Sequence, residues 1–234
     1  MFDVHCHMLP GIDDGSKDVT MSLEMIRRSV EQGIEGIVFT PHFYADMNSP
    51  ETFLKNRARA LAELEENLYQ LETVPAYTVG AEVHYFRGMS RVDDLEKLCF
   101  GKSDYILIEM PFRDWQPSFV DEIEEISKVL GLRVIIAHIE RYFDQDKRLV
   151  NRVLENPDLL IQCNAEFFIE RPTYSKAIRM MKKGRIDLLA SDSHNLTSRR
   201  PNIGEAVEII GKKDKKGALE HIQHIGSRIF RAAL

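Results

Sequence analysis

Seven short apolar runs alternate along this chain with longer segments of helical periodicity. The runs are rich in β-branched and aromatic residues, as strands are, and they occupy residues 2–8, 35–41, 76–83, 103–110, 132–138, 159–164 and 186–192. Strands that alternate with helices are typical of βαβ units and a parallel sheet. Because no glycine-rich dinucleotide-binding turn is present, the sequence predicts an α/β fold with a closed or nearly closed seven-stranded barrel rather than a doubly wound sheet.

The segments between the runs predict helices, and nothing divides the chain into parts. The helical segments are 18–33, 51–72, 117–130, 146–156, 173–184 and 203–211. No internal repeat, low-complexity linker or long charge block marks a domain boundary, and the short basic segment 211–217 fits an exposed loop before a last helix. We therefore expect one domain over residues 1–234.

Charge and cysteine content limit the classes of function. The formal net charge of -6 and a pI near 5.8 argue against broad nucleic-acid binding, which needs a basic face. Three scattered cysteines, Cys6, Cys99 and Cys163, do not make a disulfide framework. No apolar run approaches the ~18 residues of a membrane span, and no basic leader precedes the first motif. These features favour a cytoplasmic protein that is not inserted in a membrane.

Side chains that can bind metal recur at the carboxyl ends of the predicted strands. Parallel βα folds assemble their active sites at this end of the sheet, so eight such side chains from six strands would converge. They are His5, His7, His42, Glu82, Glu109, His138, Asp192 and His194.

The first motif, "DVHCH" at residues 3–7, has the spacing that a strand needs to direct two imidazoles at one ion. Side chains alternate between the faces of a strand, so His5 and His7 share a face and Cys6 points away. Several buried carboxylates without cations would have to neutralise by protonation. Nitrogen and carboxylate ligands without sulfur suit Mn, Fe or Zn, and about nine ligands are enough for two or three ions.

Taken together, six motifs resemble those of the PHP (polymerase and histidinol phosphatase) superfamily. In chain order they are "DVHCH", "TPH" (40–42), "GAE" (80–82), "LIEMP" (107–111), "AHIER" (137–141) and "SDSHN" (191–195). The lead "HCHMLPGIDDG" and the "SDSHN...R" ending are most similar to the bacterial manganese-dependent protein-tyrosine phosphatases of capsule and exopolysaccharide operons. The resemblance implies a distorted, TIM-like (β/α)7 barrel.

The resemblance also implies three sets of ligands and two phosphate-binding arginines. One ion would bind His5, His7, Glu82 and Asp192, a second Glu82, Glu109 and His138, and a third Asp14, His42 and His194. Glu82 would bridge two ions. Asp13 is an alternative to Asp14, one residue away. Arg141 and Arg199 match the family's arginines, with Arg200 as an alternative to Arg199.

The function that the resemblance implies is hydrolysis of phosphotyrosine in proteins by a metal-bridged hydroxide. The implied partner is the tyrosine-rich tail of an autophosphorylated bacterial kinase that controls capsule or exopolysaccharide synthesis. The sequence does not determine the oligomeric state, and an oligomer is one of the possibilities. Thiolate chemistry is excluded, because none of the three cysteines has an arginine six residues later. The alternatives are a small-molecule phosphatase, such as a histidinol-phosphate phosphatase, and a non-catalytic metal-binding module. His84, His221 and His224 fit no motif and are expected to be surface or structural residues.

Overall fold

A computed structural model describes residues 1–92, 94–214 and 217–234. Two residues of the basic segment 211–217, at positions 215 and 216, lie outside this described part. The strands are β1 (Phe2–Cys6), β2 (Gly36–Phe39), β3 (His42–Phe43), β4 (Ala76–Val79), β5 (Glu82–His84), β6 (Tyr105–Glu109), β7 (Arg133–Ile136), β8 (Leu159–Asn164) and β9 (Leu188–Ala190). The helices are α1 (Val19–Glu31), α2 (Pro50–Glu65), α3 (Pro117–Leu130), α4 (Lys147–Glu155), α5 (Glu166–Ile169), α6 (Arg171–Lys182), α7 (Ile203–Gly211) and α8 (Ala218–Ala233).

All paired strands are parallel, as the alternation of strands and helices predicts. One sheet has the order β1-β2-β4 and the other has the order β3-β5-β6-β7-β8-β9. Backbone hydrogen bonds also join the two sheets where β1 meets the segment after β9. His7 N donates to Ser193 O at 2.9 Å, and Asp192 N donates to His5 O at 2.8 Å. The result is a curled parallel sheet with helices around it.

The described residues form nine short strands where the sequence predicts seven. The predicted strands 35–41 and 76–83 are each interrupted, the first between Phe39 and His42 and the second between Val79 and Glu82. Pairing continues across the gaps through single hydrogen bonds, from Gly80 N to Phe39 O and from Glu82 N to Pro41 O. The interruptions come just before His42 and Glu82, where the strands reach the predicted site.

Each predicted helix is present among the described residues, and most of them differ from the prediction at their ends. The predicted helix 51–72 ends at Glu65, and a short 3-10 helix covers Leu68–Gln70 instead. The Asn67 side chain donates to the backbone carbonyl of Glu63, which satisfies a carbonyl that a longer helix would have used. The short helix α5 has no counterpart in the sequence analysis. Among the described residues, no helix combines the length and the apolar character that crossing a bilayer requires.

The two faces of the sheet pack into two apolar clusters. Ile106 and Ile108 of β6 pack with the helices around the sheet, while Tyr105 and Leu107 pack in a smaller cluster that includes Ile229 of α8. Alternation of side chains along a strand produces this division. Glu109 comes two residues after Leu107, so it continues the face of the smaller cluster at the carboxyl end of β6. The apolar floor made with α8 therefore lies on the face from which the site is built.

We expect Ile229→Ala to destabilise the fold, because Ile229 is fully buried where α8 meets the strands. Loss of a buried isoleucine side chain should lower the free energy of unfolding by about 2–5 kcal/mol, measured by urea denaturation. Arg228→Ala, on the exposed side of the same helix, is the matched control and should change it by less than about 0.5 kcal/mol. Equal effects of the two substitutions would contradict this role of α8.

Candidate metal centre

The nine side chains that the sequence analysis selected as metal ligands lie together at the carboxyl ends of the strands. Three groups of donor atoms form there, and within each group the atoms lie within 4.8 Å of one another. The groups are His7, Asp14, His42 and His194; His5, His7, Glu82 and Asp192; and His42, Glu82 and Glu109. His138 joins them through its Nε2 atom, 2.8 Å from Glu82 Oε1. Because the groups share residues, they form one continuous centre.

Glu82 occupies the middle of the centre. Its carboxylate is buried, and Oε2 lies 3.2 Å from His5 Nε2, 3.1 Å from His7 Nε2 and 3.0 Å from His42 Nδ1. Strand β5 starts at Glu82, so the register of β5 between β3 and β6 fixes the position of the carboxylate. Movement of Glu82 would disturb several of the contacts at once.

Hydrogen bonds turn three of the imidazoles so that Nε2 faces the centre. The Nδ1 atoms of His5 and His7 donate to Gln162 Oε1 at 3.1 Å and to Asp13 Oδ2 at 2.7 Å. The Nδ1 atom of His194 donates to the backbone carbonyl of Asp192 at 2.9 Å. An acceptor at one ring nitrogen fixes the tautomer and leaves the other nitrogen free to bind a metal.

The adjacent residues Asp13 and Asp14 have different surroundings. Asp14 Oδ1 lies 3.5 Å from His42 Nε2 and 3.3 Å from His194 Nε2, so Asp14 belongs to a donor group. Asp13 instead accepts hydrogen bonds from His7 and from the backbone N–H groups of Gly15 and His42. A Cβ atom at Gly15 would overlap the carbonyl oxygen of His7. The sequence "DDG" thus allows the loop to pass close to β1 while the two carboxylates point in different directions.

Two arginines reach the centre through Asp192. Arg141 Nη2 donates to Asp192 Oδ2 at 2.6 Å and Arg199 Nη2 donates to Oδ1 at 2.8 Å. Their side chains are 33% and 31% exposed, whereas that of Asp192 is buried. Arg200, the alternative to Arg199 in the sequence analysis, pairs with Glu205 instead. The two guanidinium groups therefore lie between the buried carboxylate and solvent.

The pKa values of the buried groups show that charges in the centre balance one another. Burial alone would lower the pKa of His7, but Asp13 and Glu82 raise it to about 10. Burial likewise opposes a proton on His138, and Glu109 with Glu82 raises its pKa to about 9. Burial would raise the pKa of Glu82, but the surrounding imidazoles hold it well below its usual range. Protons on imidazoles thus offset the carboxylates, and a metal ion would replace these protons because a ligating imidazole is neutral.

His42, His194 and the arginine-bound carboxylate of Asp192 are already in the form that binds metal. Burial lowers the pKa of His42 and of His194, which favours their neutral forms. Burial opposes ionisation of Asp192, but the charges of His5, His138 and Arg141 lower its pKa. The carboxylate is consequently ionised at neutral pH.

The donor set fits divalent ions. Four buried polar atoms of the centre make no well-aligned hydrogen bond within the described residues, namely His42 Nδ1, Glu82 Oε2, His138 Nδ1 and His194 Nε2, although Glu82 Oε2 lies within 3.2 Å of three imidazole nitrogens. Unpartnered buried polar atoms are costly unless a ligand satisfies them. The donors are imidazole nitrogens and carboxylate oxygens, and Cys6 is buried with its Sγ atom 3.6 Å from Val38 O. Such a set suits Mn, Fe or Zn.

Two of the candidate ligands have strained backbone. His138 and Asp192 have φ angles of 29° and 50°, in the left-handed region that side chains with a Cβ atom avoid. Each such residue costs about 1–3 kcal/mol and persists only where the surrounding structure fixes it. Both lie two residues beyond the end of a strand, where the chain turns and directs the side chain into the centre.

The sequence analysis missed three residues that hold ligands in place. Gln162 accepts from the backbone N–H of His138 as well as from His5, and Asn164 Nδ2 donates to Asp192 Oδ2 at 2.8 Å. His84, which fits no motif, contacts Glu109 Oε2 through Nδ1 at 2.8 Å. The signal for the first two was available, since both are polar residues near the carboxyl end of the run 159–164.

Comparisons with known proteins identify the family. The profile of the family described as capsular polysaccharide synthesis, CpsB/CapC, matches residues 1–228. This chain belongs to the CpsB/CapC family. The resemblance to the phosphatases of capsule operons is therefore confirmed.

Individual relatives align along most of the chain. Tyrosine-protein phosphatase YwqE from Bacillus subtilis is 30% identical, covering 91% of this chain and 85% of YwqE. Tyrosine-protein phosphatase CpsB from Streptococcus pneumoniae is 32% identical, covering 91% of this chain and 90% of CpsB. A solved structure from work on YwqE and CpsB, described as unique metal-dependent tyrosine phosphatases, superposes with a TM-score of 0.84 at 26% identity over 99% of this chain and 95% of that one.

We expect Asp14→Asn to weaken metal binding, because the exposed Asp14 carboxylate lies beside two imidazole nitrogens of one donor group. The Kd of at least one ion should rise by about tenfold or more, measured by titration with Mn²⁺ and metal analysis of the dialysed protein. The control is Asp46→Asn, an exposed aspartate in the turn after β3, which should bind metal as the parent does. Unchanged binding by Asp14→Asn would remove Asp14 from the ligand set.

Proposed function

We propose that this chain is a metal-dependent protein-tyrosine phosphatase. The observation that carries the proposal is the buried centre of imidazoles and carboxylates with two arginines fixed on Asp192 at its solvent side. Its relatives YwqE and CpsB are named as tyrosine-protein phosphatases. A non-catalytic module would be expected to lack some of the ligands or both of the arginines that the family resemblance implies. All of them are present in this sequence, which argues against that alternative.

We propose two or three ions per chain, with manganese as the metal and iron or zinc as the alternatives. The ligand sets are His5, His7, Glu82 and Asp192; Glu82, Glu109 and His138; and Asp14, His42 and His194. Three overlapping donor groups support this number, and the contacts of Glu82 with four imidazoles support its role as a shared ligand. His7 also lies near the third set, and His42 near the second.

The chain's own residues bind and orient the phosphate. Arg141 and Arg199 each use one nitrogen on Asp192, so other N–H groups of each guanidinium are available to phosphate oxygens. The same donors stabilise negative charge that develops during transfer. Bound divalent ions would supply a water of lowered pKa and offset the charge of the phosphate. The tyrosine phenol, with a pKa of about 10, is a better leaving group than an alkoxide.

Aromatic rings at the entrance favour an aryl phosphate. Phe112 is 56% exposed, yet its ring stacks on that of His138 with centroids 6.3 Å apart and an interplanar angle of 18°. Trp115 anchors this loop because its Nε1 atom donates to Pro111 O. Tyr44 contacts the rings of both His42 and His84. A tyrosyl ring beside the phosphate could stack on these side chains.

We propose as the substrate an autophosphorylated bacterial tyrosine kinase that controls capsule or exopolysaccharide synthesis. The family description, capsular polysaccharide synthesis, supports this setting. Three free, buried cysteines support a reducing compartment, the cytoplasm.

We also propose that residues 1–234 form a single PHP-type domain with a distorted seven-stranded barrel. Counting β2 with β3 and β4 with β5 as one strand each gives seven positions around the sheet. The hydrogen bonds between His7 and Ser193 and between Asp192 and His5 support closure of this ring.

The proposed function predicts which phosphomonoester is hydrolysed fastest. With Mn²⁺ added, kcat/KM should be higher for a phosphotyrosine peptide than for histidinol phosphate, and dialysis against a chelator should abolish both activities. Phosphate release measured by a colorimetric assay gives the comparison. A preference for histidinol phosphate would favour the small-molecule alternative, and metal binding without any turnover would favour the non-catalytic one.

Arg141→Ala should lower kcat by about 10²–10³-fold, because it removes a donor to the developing charge. The metal content should stay that of the parent, measured by mass spectrometry of the elements. Arg200→Ala is the matched control, since Arg200 pairs with Glu205 outside the centre, and it should keep the parent's kcat. Loss of metal together with activity in Arg141→Ala would show that Arg141 instead supports the ligand Asp192.

A further inference from the structure

A groove lies between α4 and α6 on the outside of the sheet. It encloses about 340 Å³ and its floor is apolar, formed by Phe143, Val150, Leu154 and Met180. Three of these side chains, those of Phe143, Leu154 and Met180, are only partly buried and pack on the main core. We call this feature the α4–α6 groove.

The rim of the α4–α6 groove is cationic. Four basic residues line it and no Asp or Glu does; they are Lys147, Lys176, Lys183 and Arg185. Arg185 pairs with Glu155 at 2.8 Å. Within the described residues, no carboxylate forms an ion pair with any of the three lysines, whereas neighbouring arginines such as Arg148 do have acidic partners.

Lys176 shows most clearly that this charge has no counter-ion. Its Nζ atom lies 3.5 Å from the centroid of the Phe143 ring, so the ammonium group is held over an aromatic face. Burial lowers its pKa. A cation held at an apolar surface in this way is available to a negatively charged ligand.

The surrounding sequence is basic although the protein as a whole is acidic. Residues 146–185 contain nine Lys and Arg against five Asp and Glu, while the formal net charge of the chain is -6. Local positive charge of this kind attracts acidic partners and raises their rate of encounter.

One end of the α4–α6 groove lies close in sequence to the candidate metal centre. Phe143 follows Arg141 by two residues, and Arg141 donates to Asp192 in the centre. From there the rim extends along α6. Lys176 and Lys183 are seven residues apart, which corresponds to about 10 Å along a helix axis. Charges spread over this length suit an extended chain better than a compact anion, which needs donors that converge.

We propose that the α4–α6 groove binds an acidic segment that flanks the phosphotyrosine in a protein substrate, with one apolar side chain of the segment on the groove floor. The proposal rests on the proposed phosphatase function and adds a second point of substrate contact outside the metal centre. Carboxylates of the segment would pair with the unpartnered lysines.

Charge reversal in the groove tests the proposal. The substrates are a phosphotyrosine peptide with Asp and Glu on both sides, the same peptide with Ser at those positions, and p-nitrophenyl phosphate as the reference for chemistry. Lys147→Glu with Lys176→Glu should lower the ratio of kcat/KM for the acidic peptide to that for p-nitrophenyl phosphate by about tenfold. The ratio for the serine peptide should change much less.

The matched control reverses two charges elsewhere. Lys55→Glu with Arg59→Glu alters two exposed residues of α2 and should leave the acidic-peptide ratio at the parent's value. If Lys147→Glu with Lys176→Glu does not fold, Lys147→Glu with Lys183→Glu takes its place, because the Lys183 side chain is exposed. An equal loss in the groove variant and the α2 control would reduce the effect to net charge and overturn the proposal.

A binding measurement separates failure of the groove from failure of the phosphatase function. A fluorescein-labelled acidic peptide without phosphate should bind the parent chain by fluorescence anisotropy, and about tenfold more weakly after the double reversal. No difference in binding would contradict the groove alone. Absence of turnover of every phosphotyrosine substrate with Mn²⁺ would instead contradict the proposed function.

The other occupant of such a groove is a second copy of this chain. Light scattering of the parent and of the double reversal measures this directly. A change of mass on charge reversal, with the preference for the acidic peptide intact, would make the α4–α6 groove an interface between copies and would overturn the proposal.

Discussion

The buried carboxylate of Glu82 lies within 3.2 Å of nitrogen atoms of His5, His7, His42 and His138. An anion taken out of water needs compensating charge, and here four imidazoles from three different parts of the sheet supply the contacts. Protons on His7 and His138 meet this need when no ion is bound. Bound divalent ions would replace these protons and bring more positive charge to the carboxylate. The geometry of the centre follows from this requirement.

The surrounding fold makes the requirement compatible with stability. Most candidate ligands lie near the carboxyl ends of strands or at the breaks between β2 and β3 and between β4 and β5, so the backbone is paired close to the edge of the centre and side chains make the contacts within it. Hydrogen bonds that Gln162 and Asp13 accept, and one that Asn164 donates, then fix the orientation of His5, His7 and Asp192. The strained backbone at His138 and Asp192 indicates that orientation of the ligands dominates over local conformational preference at these positions.

The two proposed kinds of recognition are separated in space. The arginines on Asp192 and the aromatic rings of Phe112 and Tyr44 lie at the centre and suit the phosphate and its aryl group. The α4–α6 groove lies outside the centre and suits the chain around the phosphorylated residue. Such a division lets a small, common chemical group be hydrolysed at one site while selectivity among protein substrates is decided at another.

The sequence alone determined the type and order of the candidate ligands, the parallel α/β class and the family resemblance. It could do so because strand periodicity and the position of residues at strand ends depend on local sequence. Tertiary structure decided which of Asp13 and Asp14 joins a donor group, and which of Arg199 and Arg200 faces Asp192. It also decided the supporting role of Gln162, which bonds to His5 from 157 residues away, and the interruption of two strands. These features depend on hydrogen-bond directions between segments that are distant along the chain, and adjacent residues of the same type carry no local signal that distinguishes them.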